Sequence, residues 1–315
     1  MNYLKLTVIF LIFFVSINLA ISNVTPPTFN YFFCALVLIY GYIAYRRHRM
    51  LYIKKFLLTT MAVQFVFCLA IPFWILQTSM PLNATWPYFP EVLWLTGSLV
   101  LWYYIISFAF IPVVVYLYGR RAWCTFICGT GAMAETLGDT FRNSGAKARR
   151  IPRHFLYFKW TALILSVIIT VGALTGYAQD KTFNLIFLIV FMLILRTLLM
   201  QAVNIILMPK LGNRIWCRYF CPQGLLISII SRIGRFALLK NPSLCASCGT
   251  CNTHCSMGID IKGGPSVNRT GECVGCGVCV EMCPQKALSM SSDIRVIRGK
   301  SNLSSATSPF NGIHS

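Results

Sequence analysis

Fourteen cysteines stand in this chain of 315 residues, and eight of them fall into two runs of identical spacing. Cys245-x2-Cys248-x2-Cys251-x3-Cys255 is followed, eighteen residues after Cys255, by Cys273-x2-Cys276-x2-Cys279-x3-Cys283-Pro284. Thiolates at this spacing hold [4Fe–4S] cubanes. A cubane has four irons, each needing one thiolate. Three cysteines separated by two residues each wrap three corners from one tight loop, and the fourth points away to complete the neighbouring cluster. This assigns Cys245, Cys248, Cys251 and Cys283 to one cluster, and Cys273, Cys276, Cys279 and Cys255 to a second. Gly249, Gly275 and Gly277 let backbone N–H groups approach the sulfides. Zinc sites also use C-x2-C pairs, but the doubled pattern points to iron and sulfide. One departure is Ser256, which follows Cys255 where Pro284 follows Cys283.

Four further cysteines belong to an internal repeat. Gly119-Arg-Arg-Ala-Trp-Cys124-Thr-Phe-Ile-Cys128 recurs, offset by 93, as Gly212-Asn-Arg-Ile-Trp-Cys217-Arg-Tyr-Phe-Cys221, and Gly131/Gly224 and Arg142/Arg235 also coincide. In a helix, a C-x3-C pair puts both sulfurs on one face. Two such pairs at equivalent helix ends would converge on a four-thiolate site for a metal or an iron–sulfur centre. Two other readings stay open: reduced thiols in helix packing, and redox-active dithiols. Cys34 and Cys68 stand alone and read as apolar fillers.

These cysteines need elements to position them, and composition says which. Only 11% of residues are charged, 57% are hydrophobic, and mean hydropathy is +0.66. Yet 28 Lys and Arg face 8 Asp and Glu, a formal net charge of +20. A nucleic-acid binder would be polar as well as basic, so no nucleic-acid partner is expected. Apolar stretches of spanning length lie at about 4–22, 28–45, 56–76, 91–118, 158–178 and 183–208. Of the 28 basic residues, 25 fall in 46–55, 119–159 and everything after 208, whereas 23–27 and 77–90 have none. By the positive-inside rule those basic segments are cytoplasmic. The first stretch reads as a retained anchor, with a cleaved signal peptide as its alternative.

The expected fold is mainly α: a polytopic helical membrane protein of about six spans with a small C-terminal α+β domain of the bacterial 2[4Fe–4S] ferredoxin type. Its parts would be a transmembrane domain at 1–208 with a cytoplasmic C-x3-C loop at 119–157, a basic cytoplasmic linker at 209–240 with the second C-x3-C, the ferredoxin domain at 241–290, and a flexible tail at 291–315. Within the linker, Ile227, Ile229, Ile230, Ile233 and Phe236 with Arg232 and Arg235 suggest an interfacial helix. The basic stretch 142–153 reads as a lipid-facing topogenic segment.

Arg196 lies mid-span, where a charge is costly and faces the bundle interior. It is a candidate quinone contact, with Gln64, Gln201 and Asn204 as possible companions, or else a structural anchor to carbonyls. The four histidines lie outside the spans, which argues against bis-histidine haem. The run Gly129–Ala134 looks like a dinucleotide fingerprint but lacks the strand that should precede it. No general base or nucleophile is evident, so the expectation is an electron-transfer component rather than a stand-alone enzyme.

The combination of spans, repeated G-x-R-x-W-C-x3-C and doubled ferredoxin motif, over residues 91–288, resembles the membrane polyferredoxins of the NapH/MauN type, with the membrane half of NosR and the YccM-like proteins. The residues that match are Cys124, Cys128, Cys217, Cys221-Pro222 and the eight ferredoxin cysteines. Two departures are Gly129, where the family motif has proline, and the lack of a large extracytoplasmic segment between the predicted spans, where NosR carries a flavin-binding region. The resemblance implies a multi-pass protein of a bacterial inner membrane, of quinol-dehydrogenase type, carrying electrons between the quinone pool and a partner redox protein or reductase complex. An alternative is a maturation factor that reduces or handles a metal such as copper, since soft thiolates suit Cu(I). A regulatory redox sensor is a third.

Overall fold

The computed structural model describes residues 26–75, 105–150, 157–174 and 204–291. It is mainly helical, with a small three-stranded sheet near the C-terminal end. Helices α1 (Pro26–Arg47) and α2 (Leu51–Phe65) form a hairpin. Arg46 and Arg47 close α1, where cations suit the negative end of the helix dipole. α2 continues through Val66–Ile75 in wider turns, which accommodate Pro72 and its missing N–H. Among the described residues, Leu51–Pro72 is the one helix long and apolar enough to cross a membrane; Phe108–Tyr118 and Tyr157–Ile168 are shorter apolar helices. The stretch 4–22 and most of 183–208 lie outside the described residues.

Helix α3 (Ile111–Tyr118) leads into the first C-x3-C segment. A wide turn, Trp123–Ile127, is followed by α4 (Gly129–Glu135) and a tighter helical stretch, Leu137–Arg150. α5 (Tyr157–Leu174) and α6 (Asn204–Leu211) lead to the second segment, made of α7 (Ile215–Tyr219) and α8 (Pro222–Ile233). α8 packs on α3 and α5. Ile111, Val115, Trp123, Cys124, Ile127 and Ile227 form one buried core between them.

Three expectations are corrected here. Residues 119–150 are not a loop but packed helical turns in which Arg121 and Glu135 are fully buried. Arg142, expected to face lipid, is 3% exposed, because two carboxylates reach it from the same stretch. Residues 209–240 are not a linker: Ile215, Trp216, Cys217, Tyr219 and Ile227 are buried core, and only Ile229 and Ile233 keep the exposed apolar face of an interfacial helix.

The C-terminal module begins ahead of the expected boundary at 241. Strand β1 (Ala237–Lys240) is the middle strand, pairing antiparallel with β2 (Val267–Asn268) and β3 (Leu288–Ser291). Two one-turn helices, α9 (Thr250–Thr253) and α10 (Val278–Glu281), carry the third cysteine of each run, Cys251 and Cys279. The module packs onto the helical part. Val278 joins Ala44, Ile53 and Leu57 in one cluster. The Glu281 carboxylate accepts from the N–H groups of Leu51 (2.8 Å) and Tyr52 (3.1 Å). That places an anion on the free donors that open α2.

Candidate iron–sulfur sites

In the C-terminal module, a single concavity is lined by Cys245, Cys248, Cys251 and Cys283, with Gly249 and Pro284. The structure thus brings together the four thiols that spacing assigns to one cluster. Cys248 is exposed, and its thiol is held below the ordinary range by the Thr250 hydroxyl at 3.3 Å and the Thr250 N–H.

The second set lies deeper. Burial pushes Cys273 up to about 12 and Cys255 up to about 11, and in each case the neighbouring Cys276 adds to the shift. Burial raises Cys279 well above the ordinary range, with Cys276, Cys273 and Cys255 contributing next. Thiols so placed lose their protons only to a strong cation, so cluster binding there releases protons. The missing proline after Cys255 leaves the sulfur environment intact. Ile259 N–H donates to Cys255 Sγ at 3.4 Å, as Ala287 N–H does to Cys283 Sγ at 3.3 Å.

The repeat builds a second site, in a way the helix-face argument misses. In neither copy do both cysteines share one helix. Cys124 lies within the wide turn and Cys217 within α7, whereas Cys128 (φ −66°, ψ 124°) and Cys221 (φ −73°, ψ 118°) are extended residues at the N-caps of α4 and α8. Pro222 forces its predecessor out of the helical region, and Gly129 allows the same conformation without proline. At its cap, Cys221 Sγ accepts from Gly224 N–H at 3.3 Å.

The two copies then clasp each other. Arg121 Nη1 donates to the Cys217 carbonyl at 2.6 Å, and its counterpart Arg214 Nη1 donates to the Cys124 carbonyl at 3.1 Å. Each repeat arginine therefore holds the other copy's first cysteine. The glycines follow the same symmetry. A Cβ on Gly131 would lie 1.6 Å from the Cys124 carbonyl oxygen and one on Gly224 would lie 2.9 Å from that of Cys217, so the helix start can approach only without a side chain.

The four sulfurs sit in one another's fields. Burial raises Cys124 well above the ordinary thiol range against the pull of Arg121, and Cys217, Cys221 and Cys128 add to it. Burial likewise pushes Cys221 up to about 12, with Cys217 and Cys128 next. Among the described residues, no three His, Cys, Asp or Glu side chains close round a single ion. That holds for the ferredoxin thiols too. A cubane spreads four thiolates over its four irons, and each donor set supplies four cysteines.

Buried charge supports this site. Glu135, fully buried, meets Arg214 Nε at 2.6 Å and also pairs with Arg142. Burial alone would raise its carboxyl, but Arg142 and Arg214 hold it below the carboxylate range. Arg142 Nε further meets Asp139 at 3.2 Å, and Asp139 receives His48 Nε2 at 2.8 Å. On the other side, Glu272 faces Arg121 (3.4 Å), Lys159 (3.5 Å) and Arg218 (3.4 Å). None of these partnerships is visible in the sequence, although the coincidence of Arg121 with Arg214 in the repeat marks the two cations. Gln64 gives both its donor bonds, at 2.8 Å, to the Phe126 and Ile127 carbonyls. It buttresses the first C-x3-C turn. Arg196 and Gln201 lie outside the described residues, and Asn204 opens α6. Cys34 is a buried filler on α1.

The comparisons with known proteins fall on the same two sites. Residues 237–284 match the 4Fe-4S dicluster domain family, and residues 101–150 and 193–241 each match a 4Fe-4S binding domain family. The second family thus covers both copies of the repeat. YccM of Escherichia coli, described as an electron transport protein, is 27% identical over 183 residues, 55% of this chain and 51% of YccM. The chain is thus similar to YccM-like iron–sulfur electron-transport proteins. It carries [4Fe–4S] clusters. Protein NirI of Paracoccus denitrificans is 24% identical over 179 residues, 53% of this chain and 26% of NirI. An uncharacterized protein of Methanocaldococcus jannaschii is 28% identical over 188 residues, 57% of this chain and 75% of its own length. The chain therefore spans about half the length of YccM and about a quarter of NirI. No solved structure matches it.

Proposed function

We propose that the protein exchanges electrons between the quinone pool and a partner redox protein or reductase complex, with the repeat cysteines holding a third [4Fe–4S] centre at the membrane edge. Bound clusters supply one-electron carriers whose potentials the surrounding hydrogen bonds and charges set. The observation that carries the reading is Arg121. Its guanidinium holds Cys217 in the four-thiol site, while its backbone N–H donates to the Cys273 carbonyl at 2.9 Å in the ferredoxin module. One residue therefore ties the two sites together. Exposed Cys248 lies in the other cysteine set of the module, which makes that end the port for a soluble partner.

Further support comes from surface character. α5 exposes Tyr157, Trp160, Ile164, Ile168 and Val171, an apolar band suited to lipid. We place the protein as multi-pass in a bacterial inner membrane, with the ferredoxin module cytoplasmic and Arg196 as a candidate quinone contact.

The test is reduction of the clusters by a short-chain quinol in proteoliposomes, followed by electron paramagnetic resonance. The account expects reduction on the turnover timescale, lost in Cys124→Ser and slowed in Arg196→Leu. Equal reduction in native protein and Cys124→Ser, or stoichiometric copper at the repeat cysteines, would contradict it.

A further inference from the structure

Two buried indole N–H groups beside the four-thiol site have no hydrogen-bond partner among the described residues, and the repeat relates them. They belong to Trp123 and Trp216, 1% and 4% exposed and 93 positions apart. A buried Trp normally finds an acceptor, and an isolated unsatisfied group calls for an explanation. The same unmet donor at two equivalent positions points to an acceptor that both copies face. Each indole sits on the turn that carries its own pair of cysteines. Trp123 packs in the cluster that holds Cys124 and Cys128, and Trp216 in the cluster of Cys217 and Cys221. The backbone ties are equivalent too, since Cys128 N–H donates to the Trp123 carbonyl at 2.9 Å and Cys221 N–H to that of Trp216 at 3.1 Å.

Neither ring is loosely placed. Trp123 meets Phe110 edge-on (6.3 Å between centroids, 81°), and Trp216 stacks on Phe220 (5.8 Å, 14°). Further unanswered polar groups surround the same site. Thr125 Oγ lies on the Trp123 turn, and Arg214 Nη2 belongs to the guanidinium whose Nη1 is 3.8 Å from Cys217 Sγ. What these donors lack is an acceptor, and the inorganic sulfides and thiolates of a cluster are acceptors only.

We propose that Trp123 and Trp216 are positioning residues that donate their indole N–H groups to sulfur atoms of the cluster held by Cys124, Cys128, Cys217 and Cys221, and so raise its reduction potential. The inference rests on the third-centre reading above. Reduction adds a negative charge, and hydrogen bonds to sulfur favour the more negative state. If the rings served packing alone, replacing indole by phenyl would leave the potential in place.

The test is a redox titration, read by electron paramagnetic resonance, of the full-length protein and its Trp123→Phe, Trp216→Phe and double variants. Each single variant should lower the potential of the membrane-edge centre, the two shifts should add, and the ferredoxin clusters should stay put. An unmoved potential in both single variants overturns the proposal. Should a variant lose its cluster, unmutated protein labelled with 15N in its indoles gives the answer by pulsed resonance. A hyperfine coupling to the reduced centre is expected, and its absence overturns the proposal. Iron near twelve atoms per chain with unmoved potentials rejects the indole role alone, whereas iron near eight with no third signal rejects the third centre and the indole role with it.

Discussion

The two copies of the repeat share a plan and differ in where their arginine finds its acid. Arg214 finds Glu135, inside the first copy. The position equivalent to Glu135 in the second copy is Ser228, so Arg121 has no such partner there. Its acid is Glu272, supplied by the ferredoxin module next to Cys273. The module enters where the second copy leaves room: Ser231 Oγ donates to the Gly271 carbonyl at 3.1 Å, and a Cβ on Gly271 would lie 1.9 Å from the Ser228 carbonyl oxygen. The pseudo-symmetry is thus broken where the soluble clusters dock. The module spends two of its three acidic residues on docking, Glu272 on the repeat and Glu281 on the start of α2.

That difference gives the sharpest tests. Glu135→Ala leaves Arg214 and Arg142 buried without their shared carboxylate. Breaking a buried pair costs about 3–5 kcal/mol, so the apparent unfolding midpoint should fall steeply in a detergent-solubilised melt. Gly131→Ala comes next, because its methyl would collide with backbone. Overpacking costs about 1–3 kcal/mol, and the roomier Gly224→Ala should cost less; equal effects would deny the asymmetric fit. Glu272→Ala leaves buried Arg121 and Lys159 without their carboxylate, but that carboxylate is itself 24% exposed, so a loss of about 1–3 kcal/mol is expected. Its larger consequence is for docking, read as slower electron exchange between the ferredoxin clusters and the membrane-edge centre. A Glu272→Ala effect on the melt exceeding that of Glu135→Ala would reverse the comparison.

Acid gives the smallest effect near neutrality. Glu135, Asp139 and Glu272 are each raised by burial but brought below their ordinary range by basic partners, Arg142 and Arg214 for the first, His48 and Arg142 for the second, Arg121, Lys159 and Arg218 for the third. Carboxyls depressed in the folded state stabilise it above their unfolded values of about 4. Stability from these groups should hold from pH 7 down to about 5, then fall as pH drops through the folded-state values. Melts between pH 7 and 3 check this, and a loss already complete at pH 6 would implicate other groups.

Much of the chemistry was legible in residue types. The ferredoxin spacing pointed to the four thiols that line one concavity, because three of them share one short loop and the doubled spacing sends the fourth, Cys283, across from the other run. The repeat flagged the right cysteines but the wrong local geometry: i, i+4 spacing suggests a shared helix face, and the helix ends between the two residues because Pro222 and Gly129 set an extended N-cap. Charge was the least legible signal. Arg142 read as a lipid-facing cation, since sequence shows it beside other basic residues and not the Glu135 and Asp139 that fold back onto it. Glu272, Lys159 and Gln64 act at long range, and no local pattern announces such contacts.

The central claim is that both copies of the repeat together hold one centre beyond the two ferredoxin clusters. Anaerobic iron and sulfide quantification of the intact, purified chain tests it most directly, beside Cys124→Ser and Cys217→Ser. The account predicts about twelve irons per chain, falling to about eight in each variant, with the ferredoxin signals kept. A native content of about eight, or a loss in one variant but not the other, would contradict it.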